Sequence, residues 1–184
     1  WVYLGLMVNL ENILLLIGEN YRPGLMVIIF IGLANVVEMT TGVANQILFS
    51  SSYYRYSSHF IVLLTVLLVI TNIIFIPIWG LSGAALAAFI SKLLYHLIKI
   101  WFLKQKMGLF PFKLSIVLPF LFAGFAYLIQ IYMPVLGNFY LDILLRSAIV
   151  SVVFIVPVIV FNISSDANLW LLSIFNKLFR QSQS

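Results

Sequence analysis

The chain has 184 residues, of which 64% are hydrophobic and only 8% are charged, and its mean hydropathy is +1.15. Soluble domains are about half apolar and about a quarter charged, so this composition excludes a soluble globular domain. It predicts an all-α transmembrane bundle, because a helix satisfies its own backbone hydrogen bonds in lipid. The net charge of +5 indicates membrane topology rather than nucleic-acid binding, since the cations lie at the ends of apolar segments.

Hydropathy divides the chain into one partial and five full candidate spans, because roughly 20 apolar residues are needed to cross the hydrocarbon layer as a helix. The partial span covers residues 1–17, and the full spans cover 24–49, 59–79, 83–103, 114–134 and 142–161. Residues 1–162 are therefore predicted to form a helix bundle, and 163–184 a cytoplasmic amphipathic tail with an interfacial helix over 165–180. No signal peptide is recognised, and the chain is expected to be a fragment of a longer protein.

The third and fourth spans are separated by a very short loop. Pro77 and Gly80 end the third span and Gly83 opens the fourth, so the two are predicted to form a tight antiparallel hairpin. The start of the fourth span is rich in small residues that let a neighbouring helix approach closely. These residues are Gly83, Ala84, Ala87 and Ala88.

Basic residues are distributed unequally between the two ends of the spans. One side has Arg22 and Arg146, and the other has Arg55, Lys99, Lys104, Lys106, Lys113, Lys177 and Arg180. Because basic residues accumulate on the cytoplasmic side of a membrane, the second set and the C-terminus are predicted to be cytoplasmic.

The second span has a polar face near the middle of the membrane. Its residues are Asn35, Glu38, Thr41, Gly42, Asn45 and Gln46. Glu38 lies 14 residues into the span, about 21 Å along the helix, where an ionisable group points to function. Two interpretations remain open. The face lines a cavity whose carboxylate binds a proton, a cation or a substrate hydroxyl, or it forms a packing network in which amides and Glu38 satisfy one another.

The fourth span has a basic face, formed by Lys92, Tyr95, His96 and Lys99. Lys92 is near mid-membrane, and it either faces a cavity or pairs with a carboxylate such as that of Glu38. His96 is either a ligand-binding group or a satisfied core histidine. Lys99 is close enough to the cytoplasmic end for its side chain to reach the headgroups. A row of cations along this helix face is suited to binding an anionic phosphate or pyrophosphate headgroup of a lipid that enters from the inner leaflet.

No other pattern indicates catalysis. The sequence contains no Gly-rich phosphate loop, no His-Glu metal helix and no Ser-His-Asp constellation. We therefore expect no catalytic residue, no metal and no cofactor, and the short outer loops disfavour a membrane enzyme of glycan assembly. Asp142 and Arg146 are one helical turn apart, and we predict a local ion pair between them.

Several segments within residues 14–113 resemble the polysaccharide-type lipid-linked oligosaccharide flippases of the multidrug/oligosaccharidyl-lipid/polysaccharide exporter superfamily. The segments are "LLIGENYRPG", "ANQILFSSSYYRYSSH", "LLVITNIIFIPIWGLSGAALAAFISKLLYHL" and "FLKQKMGLFPF". The most recognisable part of the pattern comprises Asn72, Pro77, Gly80, Gly83, Ala84 and Ala85.

The resemblance implies the second six-helix bundle of a transporter with twelve or more spans in a bacterial inner membrane. It implies alternating-access export of undecaprenyl-pyrophosphate-linked oligosaccharides for O-antigen, capsule or a related polymer, with membrane lipids and a missing first bundle as partners. Protons or sodium are candidate coupling ions. The superfamily supplies no substrate-contact motif, so the candidate site rests on depth and periodicity. It comprises Lys92, His96, Lys99, Tyr95, Glu38, Asn35 and Asn45.

Three alternatives stay open beside the flippase. A multidrug or cation antiporter of the same superfamily would favour aromatic and acidic cavity linings, and Lys92 argues against it. A membrane enzyme of glycan assembly is disfavoured by the short loops. A non-transporting membrane scaffold would leave Lys92 and Glu38 paired and dry.

Overall fold

The computed structural model describes residues 1–108, 117–133 and 137–160, and every regular element within them is helical. The predicted tail over 163–184, with its interfacial helix, lies outside the described residues. In chain order the elements are α1 (Val2–Val8), α2 (Leu10–Ile17), a 3-10 helix (Glu19–Gly24), α3 (Leu25–Ser50), α4 (Tyr56–Met107), α5 (Val117–Ile131) and α6 (Phe139–Val160).

Three helices in the described part of the chain are long and apolar enough to cross a membrane. They cover Asn20–Ser50, Tyr56–Met107 and Phe139–Val160, which agrees with a helical membrane protein. The six predicted spans are not established. Within the described residues α5 has 15 residues, fewer than the roughly 20 that a span needs. The chain also leaves helical geometry at Asn9, so the predicted helix over 1–17 is two short helices.

The long helix α4 reverses direction at Gly80. This residue has φ 55° and ψ −128°, a conformation that glycine adopts because it has no Cβ. The reversal produces a first arm, residues 56–79, and a second arm, residues 81–107. The Thr71 and Ser91 hydroxyl oxygens are 2.7 Å apart across the arms, and the Phe60 ring packs on Phe102 of the second arm. The predicted antiparallel hairpin between the third and fourth spans is confirmed.

Close packing of the two arms beside the turn requires glycine at position 83. A Cβ added there would overlap the carbonyl oxygen of Phe75 and lie 2.6 Å from its carbonyl carbon. Ala87, one turn further along the second arm, is fully buried, and its carbonyl oxygen accepts a hydrogen bond from Thr71 Oγ1 at 3.3 Å. The small residues at the start of this arm therefore contact the first arm, as the sequence predicts.

The chain divides into two compact units. One comprises residues 1–12 and 113–184, and the other comprises residues 13–112. A cluster of Leu4, Val8, Ala126 and Val150 is buried in the first unit. In the second unit α3 and the two arms of α4 bury Ala44, Leu48, Phe60, Tyr95 and Leu103. The candidate site lies in the second unit.

Candidate functional site

The polar face of α3 and the basic face of the second arm of α4 lie against each other. Lys92 contacts Glu38, and Lys99 contacts Asn45, so both pairs are separated by 54 positions in the sequence. A constant separation means that the two helices run in the same direction with a fixed register. Within each helix the two contact positions are seven residues, or about two turns, apart.

Lys92 and Glu38 form an ion pair that is open to the surroundings. Lys92 Nζ lies 2.5 Å from Glu38 Oε2, and the side chains are 27% and 52% exposed. Glu38 is the fourteenth residue of α3, about 20 Å along the helix axis from Leu25. The pairing anticipated for Lys92 as one of two alternatives is thus present, and both side chains are partly exposed.

Lys99 is buried, and the prediction that its side chain reaches the headgroups is wrong. It is 2% exposed, and its ammonium group donates to the Tyr95 hydroxyl and to the Asn45 side-chain oxygen. The ammonium also lies 3.9 Å from the Tyr95 ring centroid and 5.4 Å from the centroid of the Phe60 ring. These neutral and aromatic groups stabilise the cation by hydrogen bonding and by cation–π attraction.

No carboxylate among the described residues lies within salt-bridge distance of the Lys99 ammonium. A cation taken out of water without an anionic partner retains an uncompensated charge. The positive potential of this charge extends along the basic face toward Lys92.

His96 lies between the two lysines on the same face, one turn from each. It is 3% exposed, and its ring packs edge-on against Tyr95 with the centroids 4.8 Å apart. Its Nδ1 atom is buried and has no hydrogen-bond partner in the described part of the chain. His96 therefore does not match the interpretation of a satisfied core histidine, since buried polar atoms are nearly always hydrogen-bonded.

The remaining residues of the polar face have different environments. Asn35 is exposed one turn before Glu38, whereas Thr41 is buried and donates to the Val37 carbonyl oxygen at 2.7 Å. Glu38 and Asn45 each contact a lysine of the second arm. The polar face of α3 therefore takes part in polar contacts between two packed helices, and Glu38 is paired with a lysine rather than with an amide.

A second polar cluster lies in the other compact unit. The predicted ion pair is confirmed, with Arg146 Nε 2.6 Å from Asp142 Oδ2, and both residues are buried. Asn12 Nδ2 donates to the same carboxylate oxygen at 2.6 Å, and Asn9 Nδ2 donates to Ser147 Oγ at 2.9 Å. These asparagine contacts were not predicted from the sequence. Their signal was a pair of amides about one turn apart in a segment whose other residues, except Glu11, are mostly apolar.

Comparison of the chain with protein-family models, with curated proteins and with solved structures gives no match. The chemistry of the site therefore rests on its side chains. The face holds the two lysines Lys92 and Lys99 and one carboxylate, that of Glu38, which contacts Lys92. It therefore carries an excess of positive charge, which favours an anionic ligand over a cationic one.

Proposed function

We propose that this chain is the second helix bundle of a lipid-linked oligosaccharide flippase, and that its basic face binds the pyrophosphate of the carrier lipid. The observation that carries the proposal is the partly exposed Lys92, which is paired with Glu38 about halfway along an apolar helix and is followed by His96 and Lys99 on the same face. The resemblance of residues 14–113 to the polysaccharide-type flippases supports the same substrate class.

The electrostatics of the face fit such a headgroup. A pyrophosphate linking a polyprenyl chain to a sugar carries two negative charges and several acceptor oxygens, and charge-assisted hydrogen bonds to lysine are about twice as strong as neutral ones. In a low-dielectric layer the attraction between opposite charges is also far larger than in water. A basic path of about 10 Å from Lys92 to Lys99 would offset the cost of moving the headgroup into the membrane.

The proposed transport cycle breaks no bond. The two bundles would rock about a site near the membrane midplane, so that the headgroup is exposed first to the cytoplasm and then to the opposite side. Any coupling ion, proton or sodium, would act by binding the inward and outward states differently. The proposed location is a bacterial inner membrane with the C-terminus in the cytoplasm, and the products are O-antigen, capsule or a related polymer.

Export by cells tests this proposal. We expect Lys92→Ala in the full transporter to reduce surface glycan at least about tenfold at normal protein abundance, because the exposed cation of the site is lost. Lys106→Ala is the matched control, since it removes an exposed cation from the last turn of α4. Both variants are compared by surface-glycan staining and by immunoblotting of membranes. Normal export by Lys92→Ala would refute the proposed function.

One observation favours a second candidate, a multidrug or cation antiporter of the same superfamily. The Glu38 carboxylate is half exposed, and an acidic group in a membrane segment suits an organic cation or a coupling proton. This candidate predicts that Glu38→Gln abolishes efflux of a cationic dye while Lys92→Ala does not. A flippase predicts no dye efflux by the unmodified protein.

A further inference from the structure

The Glu38 carboxylate occupies the position in which a substrate anion would contact Lys92. Its Oε2 atom lies 2.5 Å from the ammonium nitrogen, a distance typical of a direct charge-assisted hydrogen bond. Any anion that reaches Lys92 must therefore displace Glu38 or share the ammonium with it. Because the Glu38 side chain is half exposed, it can rotate away without repacking the interior of the bundle.

We propose that Glu38 is a specificity-determining residue. Its carboxylate covers Lys92 in the unliganded site and yields to the doubly charged pyrophosphate of a lipid-linked glycan, but not to the singly charged phosphodiester of ordinary membrane lipids. This inference rests on the proposed function, because it names how the same site selects its ligand.

A site of this kind must reject the membrane that surrounds it. Phospholipids with a phosphodiester headgroup vastly outnumber a polyprenyl-linked sugar, and an uncovered Lys92 would bind them. A carboxylate attached to the adjacent helix competes at a high effective concentration, in the millimolar range for short tethers. Exchanging one singly charged group for another brings no electrostatic gain, so a phosphodiester does not displace Glu38.

The pyrophosphate has an advantage that the phosphodiester lacks. Its second negative charge, on the adjacent phosphate, adds to the Coulomb attraction to Lys92. The same charge also interacts with the positive potential of Lys99, whose ammonium has no carboxylate partner among the described residues. The asymmetry between the two lysines is therefore part of the mechanism. The Lys92 ammonium is covered by the Glu38 carboxylate, which a ligand can displace. The Lys99 ammonium is held by neutral groups, so its positive charge is not compensated.

Binding measurements on the purified full transporter test this assignment. The probes are a farnesyl-pyrophosphate-linked monosaccharide, in which each phosphate carries one negative charge, and dihexanoylphosphatidylglycerol, titrated calorimetrically in a maltoside detergent, which contains no phosphate. Glu38→Gln preserves the shape of the side chain and removes its charge. Glu19→Gln is the matched control, because it removes the same charge from the 3-10 helix that precedes α3.

We expect the unmodified protein and Glu19→Gln to bind the pyrophosphate probe at least about tenfold more tightly than the phosphodiester probe. In Glu38→Gln we expect the phosphodiester probe to bind about tenfold more tightly than it binds the unmodified protein, so that most of the discrimination is lost. Size-exclusion elution and the thermal transition of each variant establish that it is folded.

The possible results separate the two proposals. If the unmodified protein prefers the pyrophosphate and Glu38→Gln keeps that preference, the specificity assignment is wrong while the proposed function stands. If neither protein binds the pyrophosphate probe, both proposals are wrong. Loss of pyrophosphate binding in Glu38→Gln would also overturn the assignment, because the carboxylate would then be part of the binding surface rather than a competitor.

Discussion

Substitution of Gly83 by alanine tests the close approach of the two arms of α4. An alanine Cβ would lie 2.6 Å from the Phe75 carbonyl carbon, whereas ordinary contact begins at 3.4 Å. The backbone of the hairpin must therefore open by about 0.8 Å or more, and overpacking of this kind costs about 1–3 kcal/mol. For a chain of this length a loss of about 1–3 kcal/mol lowers the midpoint of thermal unfolding by about 2–12 °C.

Circular dichroism at 222 nm in detergent measures this midpoint. Gly42→Ala is the matched control, because Gly42 lies within α3 and an added Cβ has no heavy atom within 4 Å. Since alanine favours helix over glycine by about 1 kcal/mol, the control should unfold at the same or a slightly higher temperature. A Gly83→Ala midpoint equal to that of the unmodified protein would refute the packing argument.

Two further predictions concern the hairpin and the buried ion pair. Thr71→Cys combined with Ser91→Cys should form a disulfide on mild oxidation, because the two hydroxyl oxygens are 2.7 Å apart and the chain has no native cysteine. Maleimide labelling after denaturation, with and without a reductant, measures it, since only a disulfide then protects these buried positions. Equal protection of a Ser58→Cys, Ser91→Cys control would contradict the register. Arg146→Leu should destabilise the chain by about 3–5 kcal/mol because it removes the guanidinium that neutralises the buried Asp142 carboxylate. Adding Asp142→Leu and Asn12→Leu should restore part of that loss in the same thermal assay, because the carboxylate and the amide that donates to it are then both replaced. A triple variant as unstable as Arg146→Leu would show that the loss does not come from the buried carboxylate.

The hairpin of α4 was predictable because its signals are local. Pro77, Gly80 and Gly83 lie within seven positions, and each acts on the backbone of its own neighbourhood. The continuous helix expected over residues 1–17 was wrong for a non-local reason. Asn9 leaves the helical path where its amide bonds both to Gly5 and to Ser147, a residue 138 positions away in the sequence.

The candidate site was predicted in part. Helical periodicity placed Lys92, His96 and Lys99 on one face and Glu38 with Asn45 on another, and the structure brings these two faces together. Periodicity did not distinguish the environments of the lysines. Counting residues from the helix end suggested that Lys99 reaches the headgroups, but burial depends on which rings and amides of other segments surround the side chain.

The amino-acid sequence by itself determined the helical, membrane-type character of the chain, the position of the hairpin turn and the residues that share each helix face. These properties follow from composition and from the 3.6-residue repeat, which act within one segment. Only the tertiary structure decided that Glu38 pairs with Lys92 and that Lys99 is buried against Tyr95 and Asn45. The register between two helices depends on how side chains from distant segments interdigitate, and the repeat within a single helix contains no information about that offset.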